Sequence, residues 1–138
     1  MPFLIGADLP DRPAGERFRA LLARPQILQI PGAHTGMAAL LAKHAGFDAL
    51  YAGGSAMTGT MGLPDLGIIT VEEVCFFVRQ VARASGLPVL VDGDTGHGEA
   101  LNVMHLVRSL EDEGVRGPAR RVVLPGGVAR LPGRCACV

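Results

Sequence analysis

Short apolar runs alternate with longer segments in which apolar residues recur every three or four positions. The runs have the length of buried strands, and the spaced segments have the period of amphipathic helices. One helix precedes three strand–helix pairs with short connections, which predicts parallel strands joined by right-handed crossovers. The pattern predicts helices at 16–23, 35–46, 70–86 and 101–114, and strands at 27–30, 49–52 and 89–91.

Residues that start and stop helices support these boundaries. Thr70 and Glu73 have the spacing of a capping box, and Gly86 stands where the same helix would end. The stretch Gly53–Ala56 consists of small residues and predicts a loop, and Gly62–Gly67 predicts a turn-rich bridge. Both segments belong to the connection between the second strand and the helix that follows it.

Three strand–helix units suit either a doubly wound sheet or part of a (β/α)8 barrel. A complete barrel usually takes about 250 residues, and the chain has 138. We expect an N-terminal arm over residues 1–15 and an α/β domain over residues 16–115. The segment 116–138 is rich in Arg, Gly and Pro and has no regular period, so we expect an irregular tail there.

Composition excludes several classes of function. The chain has 13 basic and 13 acidic residues, whereas a nucleic-acid-binding face needs a basic excess. No signal peptide is evident at the N-terminus, and no apolar run approaches the ~20 residues of a transmembrane helix. The three cysteines are an odd number without the spacing of metal ligands. We therefore expect a cytoplasmic protein that binds neither nucleic acid nor membranes.

Two carboxylates follow the third predicted strand. Asp92 and Asp94 are two residues apart, so in an extended chain both side chains point to one side. Like charges at that spacing favour a cation between them, and carboxylate oxygens with room for water suit Mg²⁺ or Mn²⁺. In the alternative interpretation, Asp92 caps the next helix and Asp94 is a solvated loop residue.

Further candidate residues lie at the same predicted edge of the sheet. The loop Gly53-Gly54-Ser55 brings backbone N–H groups close to a phosphate or a carboxylate, or is a tight turn without a ligand. Asp65 lies in the bridge after the second strand, which the chain order places near the same edge, and His97 follows the acidic pair. Each is either a polar contact of the site or an exposed loop residue.

Four motifs in this order resemble the isocitrate lyase and phosphoenolpyruvate mutase superfamily, and within it the methylisocitrate lyases most closely. The resemblance extends from about residue 18 to residue 115. The motifs are Pro31–His34, Gly46–Tyr51, Gly62–Gly67, and Val91–Gly98 with Leu101–Val103.

The resemblance implies the N-terminal part, about three βα units, of a (β/α)8 TIM-type barrel that assembles as a homotetramer. It also implies Mg²⁺-dependent cleavage of a carbon–carbon bond beside a carboxylate, in this group 2-methylisocitrate to pyruvate and succinate. Asp92 and Asp94 match the metal-holding pair, and Asp65 matches an acid near the metal. The residues that match the grip on the substrate carboxylate are Tyr51, Gly53, Gly54 and Ser55.

The sequence departs from this superfamily after Val115. The lyases carry a Lys-Lys-Cys-Gly-His loop whose cysteine is the catalytic acid and base, and this sequence lacks it. No catalytic residue is therefore assigned, and we expect an incomplete or inactive site. Our hypothesis is a frameshift or premature end near codon 115. The alternatives are an organic-acid-binding remnant without catalysis, or phosphonate mutase, oxaloacetate hydrolase or dimethylmalate lyase chemistry.

Overall fold

The computed structural model describes residues 10–114 and 135–137, which form an α/β arrangement of helices and parallel strands. Every helix and strand predicted from the sequence pattern is observed, with ends that differ by up to two residues. The elements are α1 (Ala14–Leu22), β1 (Leu28–Ile30), α2 (Gly36–His44), β2 (Leu50–Ala52), α3 (Gly54–Thr60), α4 (Val71–Ser85), β3 (Val89–Val91), α5 (Ala100–Gly114) and β4 (Cys135–Cys137).

The strands run parallel, as the short connections predict. β2 and β3 pair with Tyr51 opposite Leu90 and Ala52 opposite Val91. The chain beyond β1 continues beside β2, because the N–H of Ala33 donates to the carbonyl of Tyr51 at 2.8 Å. β4 pairs in parallel with β1.

Two expectations need correction. The small residues of Gly53–Ala56 predict a loop, but Gly54–Thr60 forms α3. Glycine disfavours helices, yet tertiary packing overrides that propensity here because Met57 is completely buried. Cys135–Cys137 form a strand within the expected irregular tail. The rest of that tail, with residue 115, and most of the expected arm, residues 1–9, lie outside the described residues.

The ends of α4 confirm the capping prediction. The Thr70 hydroxyl accepts a hydrogen bond from the N–H of Glu73 at 3.2 Å, and the Glu73 carboxylate accepts one from the N–H of Thr70 at 2.7 Å. The N–H and the hydroxyl of Thr70 both donate to the Glu73 carboxylate, and these two hydrogen bonds hold the pKa of Glu73 below its ordinary value. Gly86 ends the helix in the left-handed conformation, with φ of 68°.

The two faces of the strands pack against different partners. Leu50, Ala52 and Val91 lie in clusters with buried residues of the helices. Tyr51 and Leu90 instead pack against a separate cluster that includes residues of α1 and β1. Because successive strand residues alternate between faces, the residue after Val91 lies on the same face as Tyr51. This alternation places Asp92 next to Tyr51.

No helix in the described part of the chain is long and apolar enough to cross a membrane.

Candidate metal and carboxylate site

Asp92 is fixed at the carboxyl ends of β2 and β3. Its N–H donates to the carbonyl of Ala52 at 2.9 Å and so extends the pairing of the two strands. The hydroxyl of Tyr51 donates to Oδ2 of Asp92 at 2.8 Å, and the N–H of Asp94 donates to Oδ1 at 3.1 Å. Asp92 does not cap α5, which begins only at Ala100. Each oxygen of the Asp92 carboxylate accepts one hydrogen bond, and the group is therefore held in one orientation.

The carboxylates of Asp65 and Asp94 approach one point at the start of α3. A Cβ atom placed on Gly54 would lie 3.6 Å from Oδ1 of Asp65 and 3.6 Å from Oδ2 of Asp94. Asp65 comes from the bridge between α3 and α4, and Asp94 comes from the loop after β3. The structure therefore brings together acids that are far apart in sequence, and the missing side chain of Gly54 leaves room between them.

This cluster of carboxylates is electrostatically unfavourable by itself. Burial raises the pKa of Asp94, the negative charges of Asp92 and Asp65 raise it further, and His97 opposes them. A cation near these oxygens would relieve the repulsion. The site therefore carries the concentrated negative charge that favours binding of a cation.

The donor atoms fit Mg²⁺ or Mn²⁺. Carboxylate oxygens are hard ligands, and Mg²⁺ usually keeps several waters while binding one or two carboxylates and a substrate. Within the described ranges, no group of three or more His, Cys, Asp or Glu side chains is placed to hold a metal ion. Carboxylates alone therefore do not form a complete coordination shell in the described part of the chain.

The loop between Asp94 and α5 has an unusual backbone. Asp94 and His97 have positive φ angles of 48° and 57°, and Gly96 and Gly98 have φ angles of 93° and 137°. A side chain on Gly96 would collide with Val103 of α5. The glycines thus allow the loop to lie directly on the helix, a requirement that the sequence pattern alone did not reveal.

The other predicted site residues occupy different environments. His97 is only partly exposed, and its Nε2 atom is buried without a hydrogen-bond partner in the described part of the structure. Gly53 and Gly54 are buried, whereas Ser55 is exposed in the first turn of α3. Cys75, which is not one of the predicted site residues, is buried in the core. The hydrogen bond between Tyr51 and Asp92 was not predicted.

Acidic residues at the carboxyl ends of parallel strands are typical of the active sites of α/β enzymes, and comparison with known proteins identifies the family of this chain. The profile of the family described as phosphoenolpyruvate phosphomutase matches residues 18–119. The 2-methylisocitrate lyase of Bacillus subtilis is 49% identical over 110 residues, covering 80% of this chain and 36% of that protein.

Solved structures agree with this family. Phosphoenolpyruvate phosphomutase from Streptomyces platensis subsp. rosaceus superposes with a TM-score of 0.71 at 41% identity, covering 74% of this chain and 36% of that one. A phosphonopyruvate hydrolase solved in complex with oxalate and Mg²⁺ superposes with a TM-score of 0.70 at 28% identity, covering 75% and 36% of the two chains.

The chain therefore belongs to the phosphoenolpyruvate phosphomutase family, within the superfamily shared with isocitrate lyase. It is a family of enzymes, and the curated relatives at 45–49% identity described as 2-methylisocitrate lyases are carbon–carbon lyases. The chain spans 36–38% of the length of the first of these relatives. The superfamily expected from the four motifs is confirmed.

Proposed function

We propose that this chain supplies the metal-binding and carboxylate-binding part of a carbon–carbon lyase of the methylisocitrate lyase type. The proposed reaction is Mg²⁺-dependent cleavage of 2-methylisocitrate to pyruvate and succinate. We further propose that its strand–helix units are the N-terminal part of a (β/α)8 barrel. The identity to 2-methylisocitrate lyases supports the reaction, and the parallel strands support the barrel.

The single observation that carries the proposal is the convergence of Asp65 and Asp94 on Gly54, beside Asp92. The pKa of Asp94 is raised by its acidic neighbours, so the folded chain keeps its carboxylates together at an energetic cost. Binding a divalent cation offsets that cost. A function that needs no cation gives no reason for this arrangement.

Each residue of the site has a proposed role. Asp92 and Asp94 hold the cation, with Asp65 close to it, and the backbone of Gly53, Gly54 and Ser55 with Tyr51 contacts the substrate carboxylate. His97 contributes a polar contact at the edge of the site. When bound, Mg²⁺ supplies the positive charge that stabilises a developing enolate oxygen. No residue of this chain is assigned the proton transfer.

Cation binding is tested by titrating the purified chain with Mg²⁺ in a calorimeter and by following its melting temperature, because a ligand that binds the folded state raises that temperature. Asp94→Asn should abolish both responses. Asp112→Asn is the matched control, since it removes one charge from an exposed position on α5. Equal Mg²⁺ responses of Asp94→Asn and the wild type would overturn the assignment.

Substrate choice is tested by assaying release of pyruvate from 2-methylisocitrate with and without Mg²⁺, alongside oxaloacetate, phosphonopyruvate and 2,3-dimethylmalate. Turnover of one of the other three acids would replace the proposed reaction with another of the superfamily. Ligand-dependent stabilisation without turnover would favour the alternative function, binding of an organic acid without catalysis.

We also propose a homotetramer in the cytoplasm, on the strength of the family resemblance and the reduced state expected for Cys75, a buried free cysteine. Light scattering after size-exclusion chromatography measures the mass directly. A monomer at all concentrations would contradict the tetramer.

A further inference from the structure

The contact between Tyr51 and Asp92 connects neighbouring strands at the edge where the site lies. The hydroxyl of Tyr51 donates to Oδ2 of Asp92 at 2.8 Å while the N–H of Asp94 donates to Oδ1 at 3.1 Å. Rotation of the carboxylate breaks at least one of these hydrogen bonds. The orientation of Asp92 is therefore set by the protein before any ligand arrives.

Gly53 determines where the ring of Tyr51 can lie. A Cβ atom on Gly53 would be 2.8 Å from Cε1 and 3.4 Å from Cζ of Tyr51. The backbone of Gly53 has φ of −99° and ψ of 144°, an extended conformation that any residue adopts. The need for glycine at this position therefore comes from the ring and not from the backbone. A methyl group there forces the ring to shift, and with it the hydroxyl that donates to Asp92.

We infer that Tyr51 is a positioning residue that holds Asp92 in the orientation needed by the cation site, and that Gly53 makes its position possible. This inference deepens the proposed function and rests on it for the cation. It gives Tyr51 a role that acts through Asp92, in addition to the proposed contact with substrate. Hydrogen-bond partners of ligating carboxylates typically contribute 10-fold to 100-fold in metal affinity.

The first experiment needs no metal. Tyr51 is the single tyrosine of the chain, which has no tryptophan, so the intrinsic emission reports on this ring alone. A carboxylate that accepts the hydrogen bond of a phenol quenches its emission by taking the proton in the excited state. Asp92→Asn and Gly53→Ala should both raise the emission. Unchanged emission in Gly53→Ala would overturn the role of Gly53.

Gly59→Ala is the matched control for Gly53→Ala. Gly59 lies in α3 and is exposed, and a Cβ atom added to it would have no heavy atom within 4 Å outside the backbone of its own helix and its chain neighbours. The added methyl group should therefore leave the emission of Tyr51 unchanged. Circular dichroism establishes that each variant keeps its helices, so that a change in emission reports on the contact and not on unfolding.

The second experiment measures Mn²⁺ affinity by calorimetry for Tyr51→Phe, Gly53→Ala and the double variant. Each single change should weaken binding by about 10-fold or more. The double variant should bind no more weakly than Tyr51→Phe alone, because both changes remove the same hydrogen bond. Wild-type affinity in Tyr51→Phe would overturn the positioning role, and additive losses would overturn the link to Gly53.

These experiments separate the inference from the proposed function. A wild-type chain that binds no Mn²⁺ overturns both the proposed function and the role of Tyr51 at a cation site. The emission of Gly53→Ala and Asp92→Asn then still decides whether Tyr51 and Gly53 hold the carboxylate. Mn²⁺ binding with no effect of Tyr51→Phe overturns the inference and leaves the proposed function standing.

Discussion

Among single residues, Asp94 combines an unfavourable environment with a proposed role in binding. Its φ of 48° lies in the left-handed region, and burial together with Asp92 and Asp65 raises its pKa. Asparagine has nearly the same shape and tolerates the same backbone conformation. The carboxylate of Asp94 is thus a feature that the fold alone does not need.

Asp94→Asn should therefore raise the melting temperature of the metal-free protein at neutral pH, because it removes repulsion without changing shape. The pKa of Asp94 is higher in the folded chain than in the unfolded chain, so its ionised form destabilises the fold above the folded pKa. That penalty disappears as pH falls below the unfolded pKa. Melting curves in chelator over a pH series should show the two proteins converging in acid, and a lower melting temperature of the variant at neutral pH would contradict this account.

Gly54→Ala tests the space between the acids. The added methyl group would lie in ordinary van der Waals contact with oxygens of Asp65 and Asp94, at 3.6 Å from each. It therefore fits without a clash but occupies the room left for a ligand. The variant should fold, and the rise in melting temperature with Mg²⁺ should be lost. Gly59→Ala, in the same helix, should keep the full Mg²⁺ response.

Among the elements, α4 is the helix that local sequence defines most completely. Its N-terminus is capped by Thr70 and Glu73, and its C-terminus ends at Gly86 in the left-handed conformation. The side chains of Arg17 and Lys43 donate to the carbonyls of Gly86 and Ser85 at 2.8 Å and 2.7 Å. These hydrogen bonds connect α1 and α2 to the C-terminal end of α4. Positively charged side chains are stabilising at that end of a helix.

Thr70→Ala should lower the free energy of unfolding by about 1 kcal/mol, the usual cost of losing an N-cap side chain. Urea unfolding followed by circular dichroism measures the change. Thr60→Ala is the control, because the hydroxyl of Thr60 is exposed and donates to the carbonyl of Ala56 within α3, where it caps no helix. Equal stabilities of the two variants would show that the capping box contributes little.

Local sequence signals predicted most helices and strands, but they did not predict the features that depend on tertiary contacts. The capping residues and the apolar periods are encoded within a few positions, so α4 and the strands were predicted from sequence. α3 was not, because small residues such as Gly54 disfavour a helix until packing of Met57 compensates. Asp92 and Asp94 were found from their place after a strand, and Asp65 from the chain order and the family resemblance. The hydrogen bond between Tyr51 and Asp92 was not predicted, because it joins residues 41 positions apart and depends on the register of β2 and β3.

For the whole molecule, stability depends on the core between the strands and the helices. Leu106 of α5 is completely buried there, in one cluster with Val91 and Phe77. Leu101 lies on the same helix with 77% of its surface exposed. The two leucines therefore separate the contribution of burial from that of helix propensity.

Leu106→Ala should lower the free energy of unfolding by about 2–5 kcal/mol, because the lost contacts and the remaining cavity both destabilise the fold. Leu101→Ala should change it little, since the side chain is already in water. Urea unfolding of both variants tests this directly. A comparable loss in Leu101→Ala would indicate that this exposed face of α5 is covered in solution.

The hydrogen bonds that orient the Asp92 carboxylate should also slow its chemical degradation. Asp92 and Gly93 form the single Asp-Gly sequence of the chain, and among Asp-X pairs Asp-Gly is the one most prone to cyclise into an imide and reopen as isoaspartate. Cyclisation requires the carboxylate to turn toward the nitrogen of Gly93, and the hydrogen bonds from Tyr51 and Asp94 oppose that turn. Isoaspartate at position 92 should therefore accumulate mainly while the chain is unfolded. The isoaspartate content at position 92, measured by peptide mapping of a stored sample, would then increase with the time that its molecules had spent unfolded.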